Sequence, residues 1–200
     1  MSATAKTTTG AASIGDNLSH QRPLITAAWV DQSIGEAGQH KYIKDRFETL
    51  SPFISKWLYF DSSDEFTSYI ESNSNMRMMS VMSGGISRLL VPRLSYHAAL
   101  HIVYVFCVDV ERARKSMESE TKVKGIFTIE DEVYEQMAND LSKLLVEEGI
   151  ALAGLDQRSQ AKLYYEEAKR LLRTEAKSVD ENERKKRTEE INIRIEQLLA

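Results

Sequence analysis

The sequence predicts a five-stranded, doubly wound parallel α/β sheet of strand order 2-1-3-4-5, the flavodoxin-like arrangement, followed by a C-terminal helical hairpin or three-helix bundle. Three observations lead there. Five short runs are apolar at consecutive positions, as strands buried on both faces of a parallel sheet are. Segments with helical periodicity lie between them, and right-handed crossovers leave few other ways to connect such units. Beyond Glu130 no strand signal remains.

Residues 1–22 come first, running in Ser, Thr, Ala and Gly with Ile14 and Leu18 as the large apolar side chains. Such a stretch cannot offset its ordering entropy, so a disordered tail is expected. The absence of acidic residues before Asp16 would suit a transit peptide, but Arg is also absent until Arg22, which favours a plain tail. The strand runs are Leu24–Val30, Trp57–Phe60, Met78–Met82, Ile102–Val108 and Val123–Phe127. Each ends in a polar or glycine turn: Asp31, Asp61-Ser62-Ser63, Ser83-Gly84-Gly85, Asp109 and Thr128. Phe66, Tyr69 and Ile70 follow a Ser62-Ser63-Asp64 start that can cap orphan amides. Ile86, Leu89, Leu90 and Leu94 line one side of the next helix, which Pro92 should bend or shorten. Glu111 to Glu120 reads as a charged, exposed helix.

From Glu130 to about Leu152, Val133, Met137, Leu141, Leu144, Leu145 and Ile150 recur at helical spacing. After a break at Gly154-Leu155-Asp156, a helix from Ser159 to Ala176 places Ala161, Tyr164, Tyr165, Ala168, Leu171 and Leu172 on one side. A second break over Ser178–Asn182 precedes a last, highly charged helix that becomes apolar only at Ile191, Ile193, Ile195, Leu198 and Leu199. The expected organisation is a tail over 1–22, an α/β domain over 23–152 and a helical extension over 153–200. That extension should pack with the end of the 130–152 helix.

Composition narrows the function classes. With 26 Lys and Arg against 30 Asp and Glu, the net charge of −4 argues against nucleic acid as a partner and against broad attraction to anionic membrane. One cysteine excludes a disulfide framework and a four-thiolate metal site. No apolar run approaches the roughly 20 residues of a membrane helix. The expected protein is soluble, reduced and cytoplasmic, with no integral membrane segment.

In such a sheet the functional crevice lies at the carboxyl ends of the strands. The candidate ligand-binding residues there are Asp31, Ser83, Gly84, Gly85 and Thr128. Glycines let backbone amides approach an anion at a helix start, yet Ser83-Gly84-Gly85 lacks both G-x-G-x-x-G and G-x-x-x-x-G-K-[ST] spacing. A tight turn whose glycines take positive φ is the favoured reading. Ser83 is not in a G-x-S-x-G elbow, so no nucleophile is assigned. Cys107 reads as a buried structural thiol. His97 and His101 have no third ligand in a metal-binding pattern, so no metal or cofactor is expected. Arg184-Lys185-Lys186-Arg187 reads as a solvated helix face. Tyr164 and Tyr165 suit helix packing better than base stacking; with Arg170 and Arg194 they are the candidate partner contacts.

Two resemblances attach to these residues. Thr26-Ala27-Ala28-Trp29-Val30-Asp31, Val81-Met82-Ser83-Gly84-Gly85 with Val91-Pro92-Arg93-Leu94, Val103-Tyr104-Val105-Phe106-Cys107 and Lys122-Val123-Lys124-Gly125-Ile126-Phe127-Thr128 resemble, in order and spacing, the receiver domain of response regulators. The likeness is to the divergent form found ahead of tetratricopeptide and ADP-ribosyltransferase modules. It implies an acidic cluster after the first strand, a phosphate-accepting aspartate after the third and a lysine after the fifth. Here only Asp31 fits, since Ser83 and Thr128 stand at the other two places. A degenerate receiver is therefore implied, with no phosphorelay role. Ala161-Lys162-Leu163-Tyr164-Tyr165-Glu166-Glu167-Ala168 with Leu172 resembles the A-x-x-x-Y-x-x-A helix of tetratricopeptide and microtubule-interacting-and-transport (MIT) domains. Arg194-Ile195-Glu196-Gln197-Leu198-Leu199 is similar to the closing helix of the MIT bundle. No second 34-residue repeat follows, and the likeness implies groove binding of a peptide or helix. The expected function is a non-catalytic interaction or scaffold protein with a protein or peptide partner. The alternative is a phosphate- or nucleotide-binding enzyme using the Ser83-Gly84-Gly85 crevice.

Overall fold

The computed structural model describes residues 23–34 and 41–199, so the expected tail over 1–22 lies outside the described residues. Five strands, β1 (Leu24–Val30), β2 (Trp57–Phe60), β3 (Met76–Ser83), β4 (Leu100–Phe106) and β5 (Val123–Phe127), form one sheet. All pair in parallel in the order β2-β1-β3-β4-β5, the flavodoxin-like arrangement the sequence predicts. Seven helices are described: α1 (Lys41–Glu48), α2 (Ser63–Ser72), α3 (Gly84–Leu94), α4 (Val110–Met117), α5 (Glu130–Gly154), α6 (Arg158–Thr174) and α7 (Glu181–Gln197). By internal contacts the chain divides into two compact units, 1–128 and 129–200, which puts α5 in the second unit with α6 and α7. None of these helices is long and apolar enough to cross a membrane.

Alternation along each strand splits the sheet core into two faces. On one, Ala28 and Val30, Met78 and Met82, and Val103 and Val105 pack against Phe66 and Ile70 of α2, Leu90 and Leu94 of α3, and Met117 of α4. On the other, Trp29 meets Phe47 of α1 edge-on at 5.4 Å and Phe106 at 5.9 Å, while Phe47 meets Trp57 at 5.6 Å. Edge-to-face pairs at these separations add about 0.5–1.5 kcal/mol each beyond their burial. The short α1 is held by this ring set, and the sequence reading does not assign it.

Several local readings are corrected. Strand β4 ends at Phe106, not Val108, and Val108 is 96% exposed because the chain turns there to start α4. Leu89 is exposed, since the buried face of α3 is formed by Gly84, Ile86, Ser87, Leu90, Val91 and Leu94. That helix continues through Pro92 and stops two residues later, at Leu94. Helix α4 is shorter than Glu111–Glu120 and is not wholly exposed, as Ala113 and Met117 are buried.

In the second unit, α5 and α6 approach closely because small residues face each other across the contact. Ala161 and Ala168 are fully buried, and the Ser142 hydroxyl donates to the Ala168 carbonyl at 2.8 Å. A β-carbon on Gly149 would lie 2.5 Å from the buried Tyr165 ring. Between the helices the chain turns at Asp156, which takes a φ of 58°, a conformation that Asp tolerates better than most residues. Helix α7 buries only Ile191 and depends on polar ties instead. Arg184 donates to the carbonyls of Ala176, Lys177 and Val179, and Arg187 donates to Asn139 Oδ1 at 2.6 Å and to the Ser142 hydroxyl. The Arg184–Arg187 cluster is thus not a uniform solvated face. Its two arginines point inward and its two lysines outward, because residues three apart share a side of the helix.

The two glycines near the end of α5 should respond in opposite senses. Gly149→Ala drives a methyl into the buried Tyr165 ring and should destabilise the protein by about 1–3 kcal/mol. Gly154→Ala meets nothing within 4 Å and should be neutral or stabilising by up to about 1 kcal/mol. Urea denaturation of both variants checks the pair; a tolerated Gly149→Ala overturns the close approach.

Candidate functional site

Parallel pairing brings the predicted edge residues onto one rim. Val30 lies opposite both Phe60 and Met82, Ser83 opposite Phe106, and Phe106 opposite Phe127. Asp31, Ser83 and Thr128 therefore follow the strand ends along the same side, with Asp31 and Ser83 flanking the β1/β3 switch in strand order, where such sheets hold ligands. Asp31 is engaged locally. Its Oδ1 accepts from the Ser33 amide at 2.8 Å and the Ser33 hydroxyl at 2.7 Å, closing an Asx turn. Asp109 likewise spends its carboxylate on α4, accepting from the Arg112 amide at 3.1 Å. Ser83 is the N-cap residue of α3, but its hydroxyl makes no capping hydrogen bond. Thr128 is exposed. Neither its side chain nor that of Ser83 supplies a carboxylate or an ammonium at its strand end. Among the described residues, no group of three or more His, Cys, Asp or Glu is placed to hold a metal ion.

The two glycines differ, and neither takes a positive φ, which corrects the turn reading. Both lie in the first turn of α3. Gly84 is needed for space, because a β-carbon there would stand 2.7 Å from Cys107 Cβ, whereas Gly85 faces open space. The missing Cβ lets α3 start hard against the end of β4. Cys107 itself is half-buried just past β4, not enclosed within it. Burial and the nearby Asp109 push its thiol above the usual range, against the opposing pull of Arg88. His97 and His101 are both half-buried, and His97 Nδ1 accepts from the Ala99 amide.

The helical candidates separate into different roles. Tyr165 is buried, and Arg194 hydrogen-bonds its side chain; burial raises the phenol's pKa while Arg194 lowers it. Tyr164 is only half-buried. Arg170 belongs to a lattice within the unit. It holds Glu167 with two hydrogen bonds, at 2.8 and 2.9 Å, and Glu175 at 3.0 Å, and Glu175 also accepts from the Tyr134 hydroxyl at 3.1 Å. Of the four, then, Tyr165 and Arg194 come together and Arg170 works as a fastening. A feature that the sequence reading does not single out is a cavity of about 240 Å³ beside that pair, reached by Arg158 from the start of α6 and by Gln197 from the end of α7. Its only sequence signal is the helix break before Arg158.

The contrast between Gly84 and Gly85 can be tested directly. Gly84→Ala should cost about 1–3 kcal/mol by overpacking against Cys107, while Gly85→Ala should be neutral or gain up to about 1 kcal/mol. Equal effects in urea denaturation would remove the close-approach account. For Cys107, the rate of alkylation by iodoacetamide should reach half its maximum at a higher pH than for a free thiol, which does so at about 8.5. A midpoint below that of the free thiol would show an activated thiol instead. Comparison with known proteins finds no match for this chain among family models, curated proteins or solved structures.

Proposed function

We propose that the chain is a non-catalytic interaction platform of the cytoplasm: a degenerate receiver-like sheet unit joined to a helical unit of tetratricopeptide or MIT kind that docks a protein or peptide partner. One observation carries the reading. At the strand ends where acyl-phosphate chemistry needs a nucleophilic carboxylate and a cationic clamp stand Ser83 and Thr128, while Asp31, the one acid at a place a receiver uses, accepts two hydrogen bonds within its own turn. Without a carboxylate and an ammonium at those two places, acyl-phosphate chemistry lacks its nucleophile and its charge clamp. Support for docking comes from α6, which buries Tyr165 and leaves Leu163 47% exposed beside the half-buried Tyr164. An apolar residue turned outward on a charged helix suits a helix-in-groove or peptide contact.

The alternative, a phosphate- or nucleotide-binding activity at Ser83-Gly84-Gly85, draws on the uncommitted Ser83 hydroxyl and the open space at Gly85. A specific ligand would stabilise the native state in proportion to its concentration over its Kd. Thermal shift with nucleotides and acyl phosphates separates the two readings, and a saturable rise with any of them would replace the platform. For the platform itself, Leu163→Asp and Tyr164→Ala in the full chain should each weaken partner recovery about tenfold, equivalent to about 1.4 kcal/mol, with the melting temperature retained. If both variants keep every partner of the parent chain, docking on α6 is wrong.

A further inference from the structure

The cavity in the second unit lies where the end of α5, the start of α6 and the end of α7 meet. Its apolar lining is Ile150, Ala153 and Leu198 with the Tyr165 ring, and two guanidinium groups, Arg158 and Arg194, reach it. Both are oriented by the protein. Arg158 donates from Nε to Asp156 at 3.1 Å and from Nη1 to the Leu198 carbonyl at 3.4 Å, and Arg194 is bonded to Tyr165. A guanidinium has five N–H donors, so each retains capacity for an incoming acceptor. The lining also contains Gln197 and Asp156, whose carboxylate is 86% exposed to water. Two arginines against one aspartate leave one positive charge at the cavity, which matches a monoanion better than a phosphate dianion.

Size restricts the rest of the ligand. At about 240 Å³ the cavity exceeds the roughly 150 Å³ that encloses benzene and falls short of the ≈ 300 Å³ at which drug-sized pockets begin. We propose that this cavity binds a small organic monocarboxylate, its planar head on the Arg158 and Arg194 forks and a short aliphatic or aromatic body against Ile150, Ala153 and Leu198. Planar, forked donors suit a carboxylate, and the apolar lining gives the body a reason to leave water. The site is independent of partner docking on α6 and stands or falls separately.

Isothermal titration of the full chain with hexanoate and with its neutral counterpart hexanol tests it. Saturable hexanoate binding is expected, at least tenfold tighter than hexanol and weakened at least tenfold in Arg158→Gln and Arg194→Gln. No saturable binding of hexanoate, equal binding of hexanol, or unchanged affinity in both arginine variants would each overturn the site. Because Arg194 also supports Tyr165, Ala153→Phe provides a second variant that fills the apolar end and leaves both arginines in place. It should abolish hexanoate binding, and retained binding would place the ligand elsewhere and sink the proposal.

Discussion

Burial of the central strands on both faces is the constraint from which the first unit follows. Every residue from Ile25 to Val30 is buried, and Met78 to Met82 are fully so. Strands enclosed in this way can carry few polar side chains, because an unmatched one loses its water without replacement. Thr26 finds the Ser55 hydroxyl at 3.4 Å, and Ser80 is the other polar residue in these stretches. Chemistry is consequently excluded from the strand interiors and displaced to their ends. There the backbone needs of the following helices come first. Asp31, Ser62 and Asp109 each spend a side-chain oxygen on closing a turn or capping a helix.

The same requirement explains how much could be read in advance. Parallel strands announce themselves as unbroken apolar runs, as all five do here. The apolar run around β4 extends past the strand because Cys107 and Val108 are as apolar as what precedes them, and nothing local marks the turn except Asp109. Helix α1 carries no such signal, since five of its eight residues are charged; among its described side chains, Phe47 meets the tryptophans. Periodicity needs repetition, and a two-turn helix offers little of it.

The candidate site was legible as an address more than as chemistry. Topology placed Asp31, Ser83, Gly84, Gly85 and Thr128 on one rim, as strand order requires. What each residue does there depends on distances that sequence does not encode. Glycine at position 84 could have signified positive φ or the absence of a β-carbon, and only the approach of Cys107 decides for the second. In the helical unit Arg170 and Arg194 look alike on paper. The first is consumed by Glu167 and Glu175, while the second sits at a cavity wall, and the difference lies in which acidic residues the folding of α6 brings within reach.

Helix α7 has a consequence for timing. With Ile191 as its one buried side chain and its attachment made largely by Arg184, Arg187 and Lys169, it is fixed by directional bonds and little apolar area. Elements held in this way open at lower free energy than a packed core. Arg194, Gln197 and Leu198 belong to its last turns, so the cavity they help enclose exists only while α7 is docked. Detachment of the helix and dissolution of the cavity are one event, and the lifetime of any occupant is bounded by how long that helix stays in place.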